Sequence, residues 1–169
     1  MCSLQLPTTM FGPDGEASLV RAVGDVAERS FFAYAEACDS TRFAELTGGV
    51  SQWYCASIAF EEANASGVVD CVISAGLAAE LFDAFSGRDH DDPQPDPAAV
   101  ADLLGEFANQ VCGAWLTRAA NRQTFTLHPP RVTRANDGAI DADASAVTIA
   151  LNEHPLAVRV HAMVQQGAA

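Results

Sequence analysis

From Pro97 to Ala119 the chain places Val100, Leu103, Leu104, Phe107, Val111 and Trp115 at spacings that follow the helical period. These side chains gather on one side and predict an amphipathic helix. The opposite side carries Asp102, Glu106, Asn109 and Gly113, in steps of four, three and four residues. At about 100° per residue these four fall within roughly a 60° arc. Asp96 followed by Pro97 supplies a helix start, with a side-chain acceptor ahead of a proline whose missing N–H would have no helical partner anyway.

Upstream, Leu19, Val20, Val23, Val26, Ala27, Phe31 and Tyr34 predict a first helix over 16–37. Gly48-Gly49 breaks the chain. Residues 52–60 and 67–74 read as strands, and the short polar linker between them predicts an antiparallel hairpin. A helix over about 76–85 follows, with Gly87 as its stop. Residues 88–95 are charged and proline-rich, a loop. Beyond the striped helix, strands are expected at 124–127, 145–151 and 156–164, with a turn at Asn136-Asp137-Gly138 and a four-residue hairpin connection, Asn152 to Pro155. The order α-β-β-α-α-β-β-β has hairpins where doubly wound folds have crossovers. The fold class is therefore α+β, a largely antiparallel sheet with helices packed on one side. Residues 1–15 are read as a loose leader and 16–169 as a single domain.

Charge narrows the partners. The formal net charge of -13 opposes unassisted binding to nucleic acid or to anionic membrane surfaces. All nine cationic residues are Arg, so no Schiff-base lysine and no P-loop lysine exists. Five cysteines (2, 38, 55, 71 and 112) show no CxxC spacing and are expected as reduced, mostly buried thiols. With no signal-peptide pattern and no apolar run near 18 residues, the expected location is cytoplasmic.

Other candidate chemistry is weak. The run Arg88-Asp-His-Asp-Asp92 is read as a solvated loop and not a metal site. His128, His154 and His161 are read as structural or surface residues, and no GxSxG nucleophile pattern occurs. Pro129-Pro130 is read as a rigid turn that ends a strand. Taken alone, Glu106 and Asn109 suit the plain reading of a wet helix face. A mid-helix Asn, about 0.6 kcal/mol worse than Ala, points the other way. Asp102 alone is a first-turn charge, Gln110 lies beside the stripe, and Gly113 is open between packing and close approach by a partner.

The stretch Leu104-Gly-Glu-Phe-Ala-Asn-Gln-Val-Cys-Gly113, with Asp102 before it and Thr126-Leu-His-Pro-Pro-Arg-Val132 after it, resembles the bacterial chemotaxis phosphatases CheC and CheX. Ser57-Ile-Ala-Phe60, Gly67 to Ser74 and the strands within 145–164 fit the same pattern, so the resemblance spans roughly 17–166. The first helix offers no second acidic-then-Asn pattern around Asp25 and Glu28, and one motif instead of two is similar to CheX. The resemblance implies a homodimer and hydrolysis of the aspartyl phosphate on a receiver domain such as CheY. It implies Asn109 as the residue that orients water and Glu106 as the anchor to a cationic side chain of the receiver. Asp102, Gln110 and Gly113 would be partner-binding. No cofactor of the chain's own is implied, because Mg²⁺ would come with the receiver. The alternatives are a non-catalytic module that docks a receiver or another signalling protein through the same helix, and a structural dimer whose stripe is merely solvated.

Overall fold

A computed structural model describes residues 14–63, 65–89, 91–119, 123–136 and 146–164; residues 1–13 of the leader and the turn at 137–138 lie outside these, and Gly15, expected in the leader, opens the first helix. Among the described residues four helices, α1 (Gly15–Phe31), α2 (Ser40–Thr47), α3 (Ala75–Ser86) and α4 (Pro97–Ala119), accompany seven strands. The strands are β1 (Ala35–Ala37), β2 (Gln52–Glu62), β3 (Ala65–Ser74), β4 (Thr126–Leu127), β5 (Arg131–Asn136), β6 (Val147–Leu151) and β7 (His154–Val164). They form one sheet in the order β1-β6-β7-β3-β2, with β4 and β5 both on the far side of β2, and every pairing is antiparallel.

The expected α+β class holds, and the three long helices share one side of the sheet. Alternation makes this possible. Tyr54, Ala56, Ile58 and Phe60 of β2, Val69, Cys71 and Ile73 of β3, and Leu156, Val158 and Val160 of β7 join one core with α1, α3 and α4. The intervening positions Trp53, Val72 and Ala157 face the other way, where Phe43 of α2 covers them in a small second cluster. This short helix on the opposite face was not anticipated, because Phe43 is its one buried residue and leaves no apolar period to read. Its cap is nonetheless legible: Asp39 Oδ1 accepts from the Arg42 N–H at 2.8 Å.

Three boundaries differ from the sequence reading. The first helix ends at Phe31, not at 37, and the chain returns as β1, paired with β6. Phe32 sits in the left-handed region (φ 53°), and its N–H closes the helix on the Ala27 carbonyl. Glycine usually fills that position because a Cβ there is strained by about 1–2 kcal/mol. A phenylalanine therefore gave no stop signal. The β6–β7 connection uses only Asn152 and Glu153, both at positive φ (47° and 64°), as a tight primed turn; His154 and Pro155 already belong to β7. Likewise Glu62 pairs with Ala65, so β2 and β3 run deeper into the hairpin than the polar linker suggested. Asp96, by contrast, starts α4 as expected: its side chain accepts from the Ala98 N–H and its carbonyl from the Val100 N–H, both at 3.1 Å.

Of the four described cysteines, all free, Cys71 and Cys112 are fully buried and Cys38 and Cys55 half-buried. Burial pushes all four thiols up, that of Cys112 from 9.0 to about 12. A raised folded-state value means that the folded chain holds its proton while the unfolded chain releases it, so these thiols favour unfolding as pH climbs from 9 to about 12. At pH 8, iodoacetamide should label Cys71 and Cys112 only after denaturant is added; mass spectrometry reads this directly. A methyl carbon on Gly67 would lie 2.5 Å from both the His161 carbonyl oxygen and the Phe60 ring, its cross-strand neighbour. Gly67→Ala should thus lower unfolding stability by roughly 1–3 kcal/mol in urea titration.

Candidate functional site

The site is built on α4. Leu104, Phe107, Ala108, Val111 and Cys112 have no exposed surface, and Trp115 very little. Phe107 meets Phe31 of α1 edge-on at 5.2 Å between centroids, and Trp115 meets Phe60 of β2 at 6.1 Å. These contacts fix the rotation of the helix. The stripe is thereby turned outward: Asp102 and Glu106 are exposed, and Asn109, Gln110 and Gly113 are half-exposed. At 100° per residue the order around this side is Gly105, Asn109, Asp102, Gly113, Glu106, Gln110.

Two walls bound it. On the Gly105 side stands the edge of the sheet. Phe60 pairs with Leu127 and Ser57 with Arg131, so the two β2 residues between face three on the edge, His128, Pro129 and Pro130. β4 and β5 are therefore one edge strand interrupted by a one-residue bulge. The His128 N–H still donates to the Ala59 carbonyl at 2.9 Å. The bulge carries Pro130 onto α4 so closely that a methyl carbon on Gly105 would lie 2.9 Å from the proline ring. About two turns further on, Leu127 lies 3.9 Å from the place of a Gly113 methyl carbon. Pro130 thus does more than end a strand; it packs on Gly105, the helix position next to Asn109 around the axis. Gly105 was missed by the sequence reading, although an interior helix glycine, about 1 kcal/mol worse than Ala, was the available signal.

The other wall is α1. Gln110 is not simply solvated: its Nε2 donates to Glu106 Oε1 and its Oε1 accepts from Ser30 Oγ, both at 2.8 Å. Among the described residues Glu106 has no cationic partner, so its charge faces outward unneutralised. Asn109 makes no side-chain hydrogen bond with the described residues, which leaves its amide donor and acceptor available. Asp102 lies on the same side, one turn nearer the helix start than Glu106. No metal-holding group of His, Cys, Asp and Glu occurs among the described residues.

The remaining polar candidates are dispersed. His128, His154 and His161 each approach a different carboxylate, Glu61, Glu80 and Asp70, at 3.4, 2.8 and 3.6 Å. Arg88 bridges Asp83 and Asp92 at 3.8 and 4.0 Å, so the charged loop is tied to the end of α3; His90 lies outside the described residues. No described helix is long and apolar enough to cross a membrane.

The contact between Gly105 and Pro130 is open to test. Gly105→Ala should gain about 1 kcal/mol in helix propensity and lose roughly 1–3 kcal/mol to the clash. The expected result is a net loss of up to about 2 kcal/mol, with shifted amide resonances at His128, Arg131 and Val132. Unmoved resonances would contradict the contact.

A family profile described as chemotaxis phosphatase CheX matches residues 54–152, a span that includes α4 and the bulge. No functionally curated protein matches the chain. Among solved structures, the chemotaxis protein CheX from Vibrio vulnificus superposes with a TM-score of 0.67 at 15% identity, covering 89% of this chain and 97% of that one. CheX from Desulfovibrio desulfuricans gives 0.65 at 15% identity over 89% and 99%. A CheX–CheY–BeF3–Mg²⁺ complex from Borrelia burgdorferi gives 0.60 at 12% identity over 86% and 96%. At such identities the superpositions speak for the fold alone. The profile covers more than half of the sequence, from β2 to the β6–β7 turn, and on that match the chain belongs to the CheX family of chemotaxis phosphatases.

Proposed function

We propose that this chain hydrolyses the aspartyl phosphate of a CheY-like receiver domain. The observation that best supports the reading is the presentation of Glu106 and Asn109 on the outward side of one rigid helix, unobstructed by the described residues. An acyl phosphate is already labile and needs no new nucleophile. Water attacks phosphorus in line, the bond from phosphorus to the carboxylate oxygen breaks, and the receiver's Asp leaves as a carboxylate with inorganic phosphate as the other product. The phosphatase need only hold that water in place.

Asn109 suits the task because its neutral amide offers an acceptor to the water without repelling the phosphoryl oxygens. Glu106 would repel them if it faced them, and serves instead to pair with a cation on the receiver. Asp102, Gln110 and Gly113 lie around the docking face. Mg²⁺ would enter with the receiver, as part of its own phosphorylation site. A pair of oriented hydrogen bonds, about 1–3 kcal/mol in the transition state, corresponds to roughly tenfold to hundredfold acceleration. A homodimer goes with this reading on family grounds, and light scattering decides it.

Receivers loaded with a small phosphodonor and Mg²⁺ give the test. Added protein should speed decay of the phosphorylated form. Asn109→Ala should abolish the effect with the fold intact, and Glu106→Ala should raise the receiver concentration needed for half-maximal rate. Binding without faster decay would instead favour a docking module.

A further inference from the structure

We propose that Ser30 and Gln110 are positioning residues that hold Glu106 ready for the partner, a role that rests on the reading of the site given above. The chain of contacts crosses from one helix to another: Ser30 Oγ to Gln110 Oε1 at 2.8 Å, then Gln110 Nε2 to Glu106 Oε1 at 2.8 Å. Its direction is set by chemistry. An ionised carboxylate can only accept, so the amide must turn its NH₂ to Glu106. Its carbonyl oxygen then faces Ser30, and the Ser30 hydroxyl must donate. A flipped amide would set oxygen against carboxylate and lose the bond to Glu106, although its NH₂ could still donate to the Ser30 hydroxyl. Only one arrangement satisfies all three residues.

The consequence bears on recognition. An exposed glutamate on a free helix samples several rotamers, and binding must pay for the one it uses. Here Oε1 is held by Gln110, and Oε2 has no partner among the described residues. The carboxylate therefore meets a partner's cation with one oxygen committed and one offered. The hydroxyl behind the amide lies near the end of α1, and Phe31 beside it packs on Phe107, so the far end of the relay is fixed by the core. A purely structural tie between α1 and α4 would need only Ser30 and Gln110; the second bond, from Gln110 to Glu106, adds nothing between the helices. That bond orients the charged group itself.

Steady-state dephosphorylation of a receiver separates the possibilities. Gln110→Ala should raise the half-saturating receiver concentration roughly tenfold, with kcat within about twofold, because a hydrogen bond to a charged group is lost while Asn109 is untouched. Ser30→Ala should give a smaller rise, about threefold, and Ser30→Thr, which keeps the hydroxyl, should restore the wild-type value. In a Glu106→Ala background neither substitution should have any further effect, since both act through that carboxylate. Thermal midpoints of all variants show whether the fold persists. Effects that survive in the Glu106→Ala background, or an unchanged half-saturating concentration in Gln110→Ala, would overturn the relay while leaving the phosphatase reading in place. A wild-type protein that accelerates no receiver's decay would overturn both.

Discussion

Burial of one side of α4 against the sheet is the constraint on which the rest depends. Leu104, Phe107, Val111 and Trp115 leave the helix no freedom to turn about its axis, because any rotation would bring apolar area into water at about 25 cal/mol per Å². The polar residues between them have no choice of direction. Glu106 and Asn109 project outward not because anything pulls them there but because their neighbours are held inside. A site made this way needs few contacts of its own, since the same packing energy that stabilises the fold also aims the side chains.

Two elements far apart in sequence then shape what the helix presents. The bulged edge strand brings Pro130 against Gly105, and α1 brings Ser30 against Gln110. One is a steric contact and the other a polar one. Each approaches a different margin of the stripe, so the acidic residue and the amide sit in different surroundings although one turn separates them. Glu106 accepts a hydrogen bond from Gln110, whereas Asn109 neighbours, around the helix axis, the glycine on which Pro130 packs. Such asymmetry suits a pair in which one member anchors a partner and the other handles water.

How far this could be read from the sequence depended on the kind of signal. The α4 boundaries, the stripe and its greasy reverse were legible because the period and the Asp96-Pro97 start agree. The hairpins of β2–β3 and β6–β7 were legible by alternation, though their turns proved tighter, because proline at 155 and the polar residues Glu61, Glu62 and Ser66 imitate loop composition while lying in strands. β1 and α2 were not legible: Ala35-Glu36-Ala37 has no strand-forming residue, and Phe32 hides the end of α1. β5 escaped because Arg131 to Asn136 carries one aliphatic side chain larger than alanine, Val132, and its Arg134 reaches the core side by stacking on Tyr54 at 5.2 Å. The bond between Gln110 and Ser30 was beyond sequence altogether, since the two lie 80 residues apart. Long-range polar partners leave no period, and only coordinates reveal them.

The double proline at the bulge has one more effect. Neither Pro129 nor Pro130 owns an amide hydrogen, so the bulge has no backbone donor to offer an incoming chain at these two residues, although their carbonyls can still accept. Stacking of extended segments into fibrils requires an unbroken row of donors at such a margin. Pro130, which crowds Gly105, thus also makes this border of the described sheet a poorer template for an added strand.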